Sequence, residues 1–424
     1  MTSTALPPPP TARRHDVDAL RALAFSVLIL YHLCMLYVAG EDWHIRSPHP
    51  QEWLKLPMLF VNRWRMDLIF LISGVASAFM LKAGQPWRFL RLRNRRLLIP
   101  LLFGCLVIVP IQPYVQGVGN GVVEPGFLAF LAKYFTGGPW PVDAFDGWKD
   151  SFTWNHLWYL AYLWAYTAVL ALLWPLLDSG PGRALRARLT ALRGASLLVL
   201  PAVPLFAFTW FLQARFPERG DLVHDWYRNA MYFTCFLYGV LIARDSALWD
   251  EIRRLRRTSL LVALAMVTPY LWLAATLPDE ISEGVQALVW GLRNVYVWTM
   301  LLAILGYSAQ YLNRPMRWLP WAREAVYPWY MLHQSLIVLL AYWIIPLRFS
   351  APLEALAVLA GTVAGCWLVF AAVRRVRWLR PLFGLTADAP RQHAAVAVGH
   401  DAVEGARVAI EDQRQEVPVA FPQR

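Results

Sequence analysis

Charge is scarce in this sequence: Asp, Glu, Lys and Arg together make up 16% of 424 residues. A soluble chain of that length needs far more polar surface, so a soluble globular domain is excluded. Cysteine is scarce too. The four, Cys34, Cys105, Cys235 and Cys366, fall in apolar segments without metal-ligand spacing, which points to packing and away from a metal centre. No internal repeat is visible, and this weakens an inverted-repeat transporter. What the chain has in abundance is apolar surface. It is 58% hydrophobic, with a mean hydropathy of +0.39 and 22 tryptophans.

Segments of the roughly 20 apolar residues needed to cross a bilayer recur almost end to end. They lie near Leu23–Ala39, Met66–Leu81, Leu97–Val115, His156–Leu177, Ser196–Leu212, Ala230–Ala243, Leu260–Leu277, Gln286–Ala309, Ala325–Ile345 and Leu353–Val373. The expectation is an all-α, polytopic membrane bundle of about ten transmembrane helices. Its net charge of +12 raises the idea of nucleic acid. The arginines, however, sit in short clusters between the apolar runs, which is the positive-inside pattern, and no nucleic-acid partner is expected. Arg13, Arg14 and Arg21 precede the first run, and Lys82, Arg88, Arg91, Arg93, Arg95 and Arg96 fill the second connection. Further clusters follow the fourth, sixth, eighth and last runs, placing both termini in the cytoplasm. Arg63, Arg65, Arg215 and Arg219 are exceptions on the opposite side.

The first run is too long for a cleaved signal peptide and is read as an uncleaved first helix. Residues 1–12, with their run of four prolines, and the tail 386–424 lack periodicity and read as disordered arms around a membrane domain over 13–385. The longest outer loop, Gln116–Thr153, is rich in Gly, Pro and Trp and reads as a cap or binding loop.

Polar residues inside the runs carry the chemistry. Arg21 and His32 are eleven residues apart, close to three helical turns, so they share a face with the histidine roughly 16 Å above the arginine. One reading is an anion-binding group below a proton acceptor; the other is a helix-bridging histidine beside a routine flanking arginine. Asp67, near the depth of His32, is expected either to bind one imidazole nitrogen or to pair with Arg63 or Arg65. His333 falls within a turn of the level of His32, as part of a polar chamber or as helix glue. Arg93 and Arg96, at i and i+3, suit a phosphate clamp or plain lipid anchoring. Arg293, mid-span, needs a counter-charge or an anionic ligand. Asn155, His156, Trp158 and Tyr159 mark an outer helix entrance, with the aromatics serving as a membrane belt or a sugar platform.

Five of these stretches together resemble the membrane acyltransferases of the acyltransferase 3 family. They are the Arg21–His32 spacing, "DLIFLISG" (Asp67–Gly74), the RxxR of Arg93 and Arg96, "HLWYL" (His156–Leu160) and "YPWYMLHQS" (Tyr327–Ser335), in the family's order from about Arg14 to Phe383. The last stretch is similar to the glucan biosynthesis protein C branch. The resemblance implies O-acylation of an envelope carbohydrate at the cell inner membrane, with cytoplasmic acyl-CoA as donor substrate and no bound cofactor or metal. The glucan branch would imply succinyl transfer to a periplasmic glucan. Position by position, His32 becomes the catalytic histidine, with His333 on the motif histidine of a late helix and Asp67 as its expected supporter. Arg21, Arg93 and Arg96 become donor-side groups. Arg293 is read as a partner for the free carboxylate of a dicarboxylic acyl group, and Asn155, His156 and Trp158 as substrate contacts. The competing class is a transporter or flippase for an anionic or lipid-linked substrate, which would also use intramembrane His, Arg and Asp.

Overall fold

The computed structural model describes residues 14–81, 85–217, 220–278 and 280–386. The expected terminal arms lie outside these residues apart from Thr386, as do Arg13, Lys82 and Arg219. In chain order the helices are α1 (His15–Cys34), α2 (Lys55–Met80), α3 (Pro86–Phe103), α4 (Ile111–Gly119), α5 (Phe127–Thr136), α6 (Trp158–Leu177), α7 (Gly180–Thr190) and α8 (Gly194–Val199). They continue with α9 (Ala202–Leu212), α10 (Trp226–Ile242), α11 (Ser246–Thr276), α12 (Glu283–Tyr311), α13 (Leu319–Ile344), α14 (Ala351–Arg375) and α15 (Leu379–Leu382). Helix starts follow local chemistry. Asp245 Oδ1 accepts the Leu248 N–H at 2.9 Å ahead of α11, and prolines occupy the first turns of α3, α13 and α14.

Eight helical segments among the described residues are long and apolar enough to span a bilayer: His15–Cys34, Pro86–Gly119, Asn155–Leu177, Gly194–Leu212, Ser246–Thr276, Glu283–Tyr311, Leu319–Leu347 and Ala351–Arg375. The chain is a multi-pass membrane protein. Two of the ten expected spans are not among these eight. The other two apolar runs do form helices, but α2 carries Arg63, Arg65 and Asp67, and α10 has only 17 residues.

Those two helices shelter each other instead. A Cβ on Gly74 would sit 1.9 Å from the Phe236 carbonyl oxygen, and one on Gly239 would sit 1.9 Å from that of Leu71. Without side chains at the crossing the backbones touch, which is how membrane helices gain dispersion contact where lipid offers no hydrophobic drive. The same main core includes Phe70, Leu71, Ile72, Cys235 and Phe236.

Three features position the site. Helix α1 packs along α13, bringing the end of one against the middle of the other. Between α3 and α4, a π-turn at Gly104–Ile108 lets the Val109 N–H reach the Gly104 carbonyl at 2.8 Å and leaves the Ile108 carbonyl to accept the Ser335 hydroxyl at 2.9 Å. Beyond α4, helix α5 and the loop after it fold around an aromatic core of Phe130, Tyr134, Trp140 and Phe145. The long loop predicted as a cap is therefore an ordered structure in its own right.

Gly74→Val is expected to destabilise the protein by about 1–3 kcal/mol or more, because backbone stands where the new side chain must go. Thermal unfolding in detergent should show a lowered midpoint. A wild-type midpoint would mean that α2 and α10 do not touch as described.

Candidate active site

His32 lies in the last turn of α1, and its Nδ1 is 2.9 Å from Nε2 of His333 on α13. The protons on this pair can be assigned from the backbone. His333 Nδ1 stands 2.7 Å from the Tyr330 carbonyl oxygen and 3.2 Å from that of Trp329. Carbonyls only accept, so His333 Nδ1 carries a hydrogen. His333 is fully buried, with no carboxylate in reach among the described hydrogen bonds to favour a second proton. Its Nε2 is then a lone pair that accepts from His32 Nδ1–H. This leaves the free lone pair of His32 on Nε2, the tautomer a general base requires.

Neutral groups frame the pair. His156 stands edge-on to His333, ring centroids 5.2 Å apart, and is itself fixed: Nε2–H donates to the Met331 carbonyl at 3.0 Å, and Nδ1 accepts from Gln112 at 3.1 Å. Gln112 also donates to Ser335 Oγ at 2.7 Å, while Gln334 donates to Gln112 Oε1 at 2.9 Å and to His44 Nε2 at 3.1 Å. His44, in turn, donates from Nδ1 to Gln116 Oε1 at 3.0 Å. The buried chain thus runs from the centre of α13 to the loop after α1. Burial pushes the pKa of His44 below its usual value, although Asp146 and the Gln116 hydrogen bond pull it upward. A neutral His44 keeps its Nε2 able to accept from Gln334.

Above this chain opens a cleft of about 750 Å³, lined by Asp42, Trp43, His44, Ile45, Arg46 and by residues of 116–148 including Gln116, Asn120, Asp143, Asp146 and Trp148. Trp43 joins the cleft to the histidines: its ring lies parallel to that of His32, 9° between planes and 6.3 Å between centroids.

At the opposite, arginine-rich end, Arg21, Arg93 and Arg96 lie within electrostatic reach of one another, with the Tyr159 and Tyr327 phenols among them. Arg93 is 7% exposed, and its Nε has no hydrogen-bond partner. None of the three forms an ion pair with a carboxylate among the described residues. Three guanidinia gathered without counter-charge favour an anion.

Other expected residues fall elsewhere. Asp67 does not reach His32. The Cys235 thiol donates to its Oδ1 at 3.3 Å, because the second helix turns that carboxylate toward α10. Nor does it pair with its neighbours: Arg63 donates to the Tyr270 hydroxyl at 2.7 Å, and Arg65 donates to Asn62 while its guanidinium lies 3.5 Å over the Tyr31 ring. Arg293 is not aimed at the histidines. Its Nη2 is occupied by Thr209, Gln213 and Tyr227 oxygens at 3.0, 2.9 and 2.8 Å, which satisfy a buried charge by neutral acceptors on α9, α10 and the turn between them. Trp158 packs against Phe70, Tyr162 and Tyr232 rather than lining the cleft. Asn155 adopts a left-handed backbone (φ +42°) at the start of this segment, its Oδ1 accepting from Thr153 Oγ1. His44, Gln112 and Gln334 were not foreseen. No periodic signal marks them, since His44 and Gln334 meet across 290 residues of sequence.

A membrane bundle with paired histidines over an arginine cluster is the setting in which family membership becomes informative. The family model described as "Acyltransferase domain", of the acyltransferase 3 family, matches residues 14–371. The chain belongs to that family, a family of transferases. Among curated relatives, it is similar to "Glucans biosynthesis protein C" of Escherichia coli strain SMS-3-5 / SECEC, 30% identical over 133 residues, which cover 30% of this chain and 34% of the relative. The same protein of Escherichia coli O1:K1 / APEC matches with the same identity and coverage. The chain thus aligns with about a third of the length of these relatives. No solved structure matches.

If His333 serves to hold the His32 tautomer, His333→Gln, whose Oε1 can still accept from Nδ1–H, should retain more turnover than His333→Leu, with similar folding yields. Equal loss in both variants would show that hydrogen-bond acceptance at this position is irrelevant.

Proposed function

We propose that this protein transfers an acyl group from cytoplasmic acyl-CoA to a hydroxyl of an envelope carbohydrate, with His32 as general base. The observation that carries the reading is the His32–His333 hydrogen bond, which leaves a lone pair on His32 Nε2. Two further observations support it: the uncompensated arginines at one end, and the open cleft behind Trp43 at the other.

The donor phosphates would dock on Arg93 and Arg96, with Arg21 beside them, at the cytoplasmic face. The thioester extends toward His32. A sugar hydroxyl arrives from the cleft side and gives its proton to His32 Nε2 as its oxygen attacks the acyl carbon. As the tetrahedral intermediate collapses, the carbon–sulfur bond breaks, and the departing CoA sulfur takes the proton back from Nε2. The products are an O-acyl ester and free CoA, and the base is regenerated. Throughout, His333 keeps accepting from His32 Nδ1–H and so steadies the imidazolium that forms transiently. The name of the relatives supports a glucan as acceptor, and the cell inner membrane is the location that goes with this reading. Arg293, engaged by Thr209, Gln213 and Tyr227, has no part in this scheme.

His32→Ala should insert and fold but lose roughly 10²–10⁴-fold in transfer, the usual share of a general base. Arg93→Gln and Arg96→Gln should instead raise KM for acyl-CoA. Mass spectrometry of envelope glycans from cells with and without the protein reads out both the added mass and its bearer. Undiminished transfer by His32→Ala would overturn the reading, and so would movement of an unmodified substrate across vesicles.

A further inference from the structure

Among the neutral groups around His32, one positive charge intrudes. Arg65 projects from α2, and its guanidinium lies 3.5 Å over the Tyr31 ring. That ring stands edge-on to His32, with 6.0 Å between centroids and 86° between planes. At most those two steps separate the charge from the base, and its field reaches the imidazole. The same guanidinium is in reach of Tyr232 and Arg228, so it stands between α1 and α10. Its hydrogen bonds are incomplete. Nε and Nη2 both donate to Asn62 Oδ1, at 3.3 and 3.2 Å, whereas Nη1 is buried with no hydrogen-bond partner. Its charge is unmatched as well. No carboxylate forms an ion pair with Arg65 among the described residues. Asp67, two residues on, is turned to Cys235, and Arg228 already has Asp225 at 3.8 Å. A buried guanidinium donor left open costs free energy until an acceptor reaches it.

We infer that Arg65 is a further catalytic residue, whose Nη1–H holds the oxyanion formed when the acceptor oxygen attacks the acyl carbon. This rests on the acyl-transfer reading, in which His32 supplies the base and the charge developing on the carbonyl oxygen needs a holder. As the hydroxyl proton passes to His32 Nε2 and the new carbon–oxygen bond forms, the carbonyl π pair moves onto oxygen. Arg65 keeps its own proton and gives that oxyanion a charge-assisted hydrogen bond. When the carbon–sulfur bond breaks, the pair returns to the carbonyl and Nη1 is released. The distances agree. A carbonyl oxygen under attack lies roughly 5 Å from the base nitrogen, and one hydrogen-bond length more reaches its donor. Tyr31 and Asn62 hold the guanidinium beforehand, so little has to reorganise at the moment of reaction.

The test uses the full chain in lipid nanodiscs, with glycans extracted from cells lacking the protein as acceptor. Release of the CoA thiol is followed with acetyl-CoA and with succinyl-CoA as donors. Arg65→Gln should lower kcat about 10²–10³-fold, the usual share of one oxyanion donor, while KM for the donor stays within about threefold. Arg65→Lys, which keeps the charge but loses the fork, should retain about tenfold more turnover than Arg65→Gln. A loss in kcat alone separates Arg65 from Arg93 and Arg96, whose variants raise KM. Should Arg65→Gln fail to fold, Asn62→Ala decides. It removes an exposed residue that orients the fork, and should cost about tenfold in kcat with an unchanged melting midpoint. The inference is overturned if Arg65→Gln keeps wild-type kcat, if Lys and Gln lose equally, or if only KM rises. A loss confined to succinyl-CoA also overturns it, because Arg65 would then bind the acyl carboxylate. Where Asn62→Ala decides, an unchanged kcat does the same. Absence of transfer by the wild-type protein would defeat the acyl-transfer reading itself, whereas full transfer by Arg65→Gln defeats this inference alone.

Discussion

A single hydrogen bond between two imidazoles organises the chemistry of this bundle. Histidine has two nitrogens and two neutral tautomers, and in water it exchanges freely between them. Here the carbonyls of Trp329 and Tyr330 at one end of the pair dictate where every hydrogen must be. Backbone groups of α13 fix His333, His333 fixes His32, and His32 is left with its lone pair on the outward nitrogen. Because the directing groups belong to a helix, they cannot be reoriented without unwinding it. The site is preorganised by secondary structure, not by a carboxylate.

The absence of a carboxylate from this chain of contacts follows from its surroundings. In a bundle core, an ionised aspartate would need its own compensation, whereas amides, hydroxyls and neutral imidazoles can satisfy each other in sequence. Gln112, Gln334, Ser335, His156 and His44 do so along a path from α13 to the cleft. Asp67, an acid placed deep among the helices, is set aside against Cys235. Arginines without ion-paired carboxylates stand at one end, where an anionic donor can be held, and acidic side chains line the cleft at the other. This polarity gives the passage a direction.

Much of the fold was legible in the sequence. Apolar runs predicted where helices lie because lipid demands continuous apolar length. Run length is blind to partners: it does not report that α2, which carries charge, and α10, which is short, pack backbone to backbone through Gly74 and Gly239. Helical spacing placed His32 above Arg21, and depth along the spans placed His333 at the same level. That depth argument led to the pair, which meets directly, but it also nominated Asp67, whose depth is similar and whose side chain points to another helix. Periodicity reports height and face within one helix. It does not report which face meets which neighbour. The same limit hid Trp43 and His44, which lie in a loop without period, and the partners of Arg293, neutral acceptors that carry no charge signal.

The orientation of the protons on His32 is the claim from which the rest follows. Nitrogen-15 NMR of the histidine-labelled protein in lipid bilayers, with the His32 signal assigned by comparison with His32→Gln, reads the tautomer directly. At neutral pH the account predicts a neutral ring with hydrogen on Nδ1 and a bare Nε2. A ring protonated on Nε2, or on both nitrogens, would contradict it.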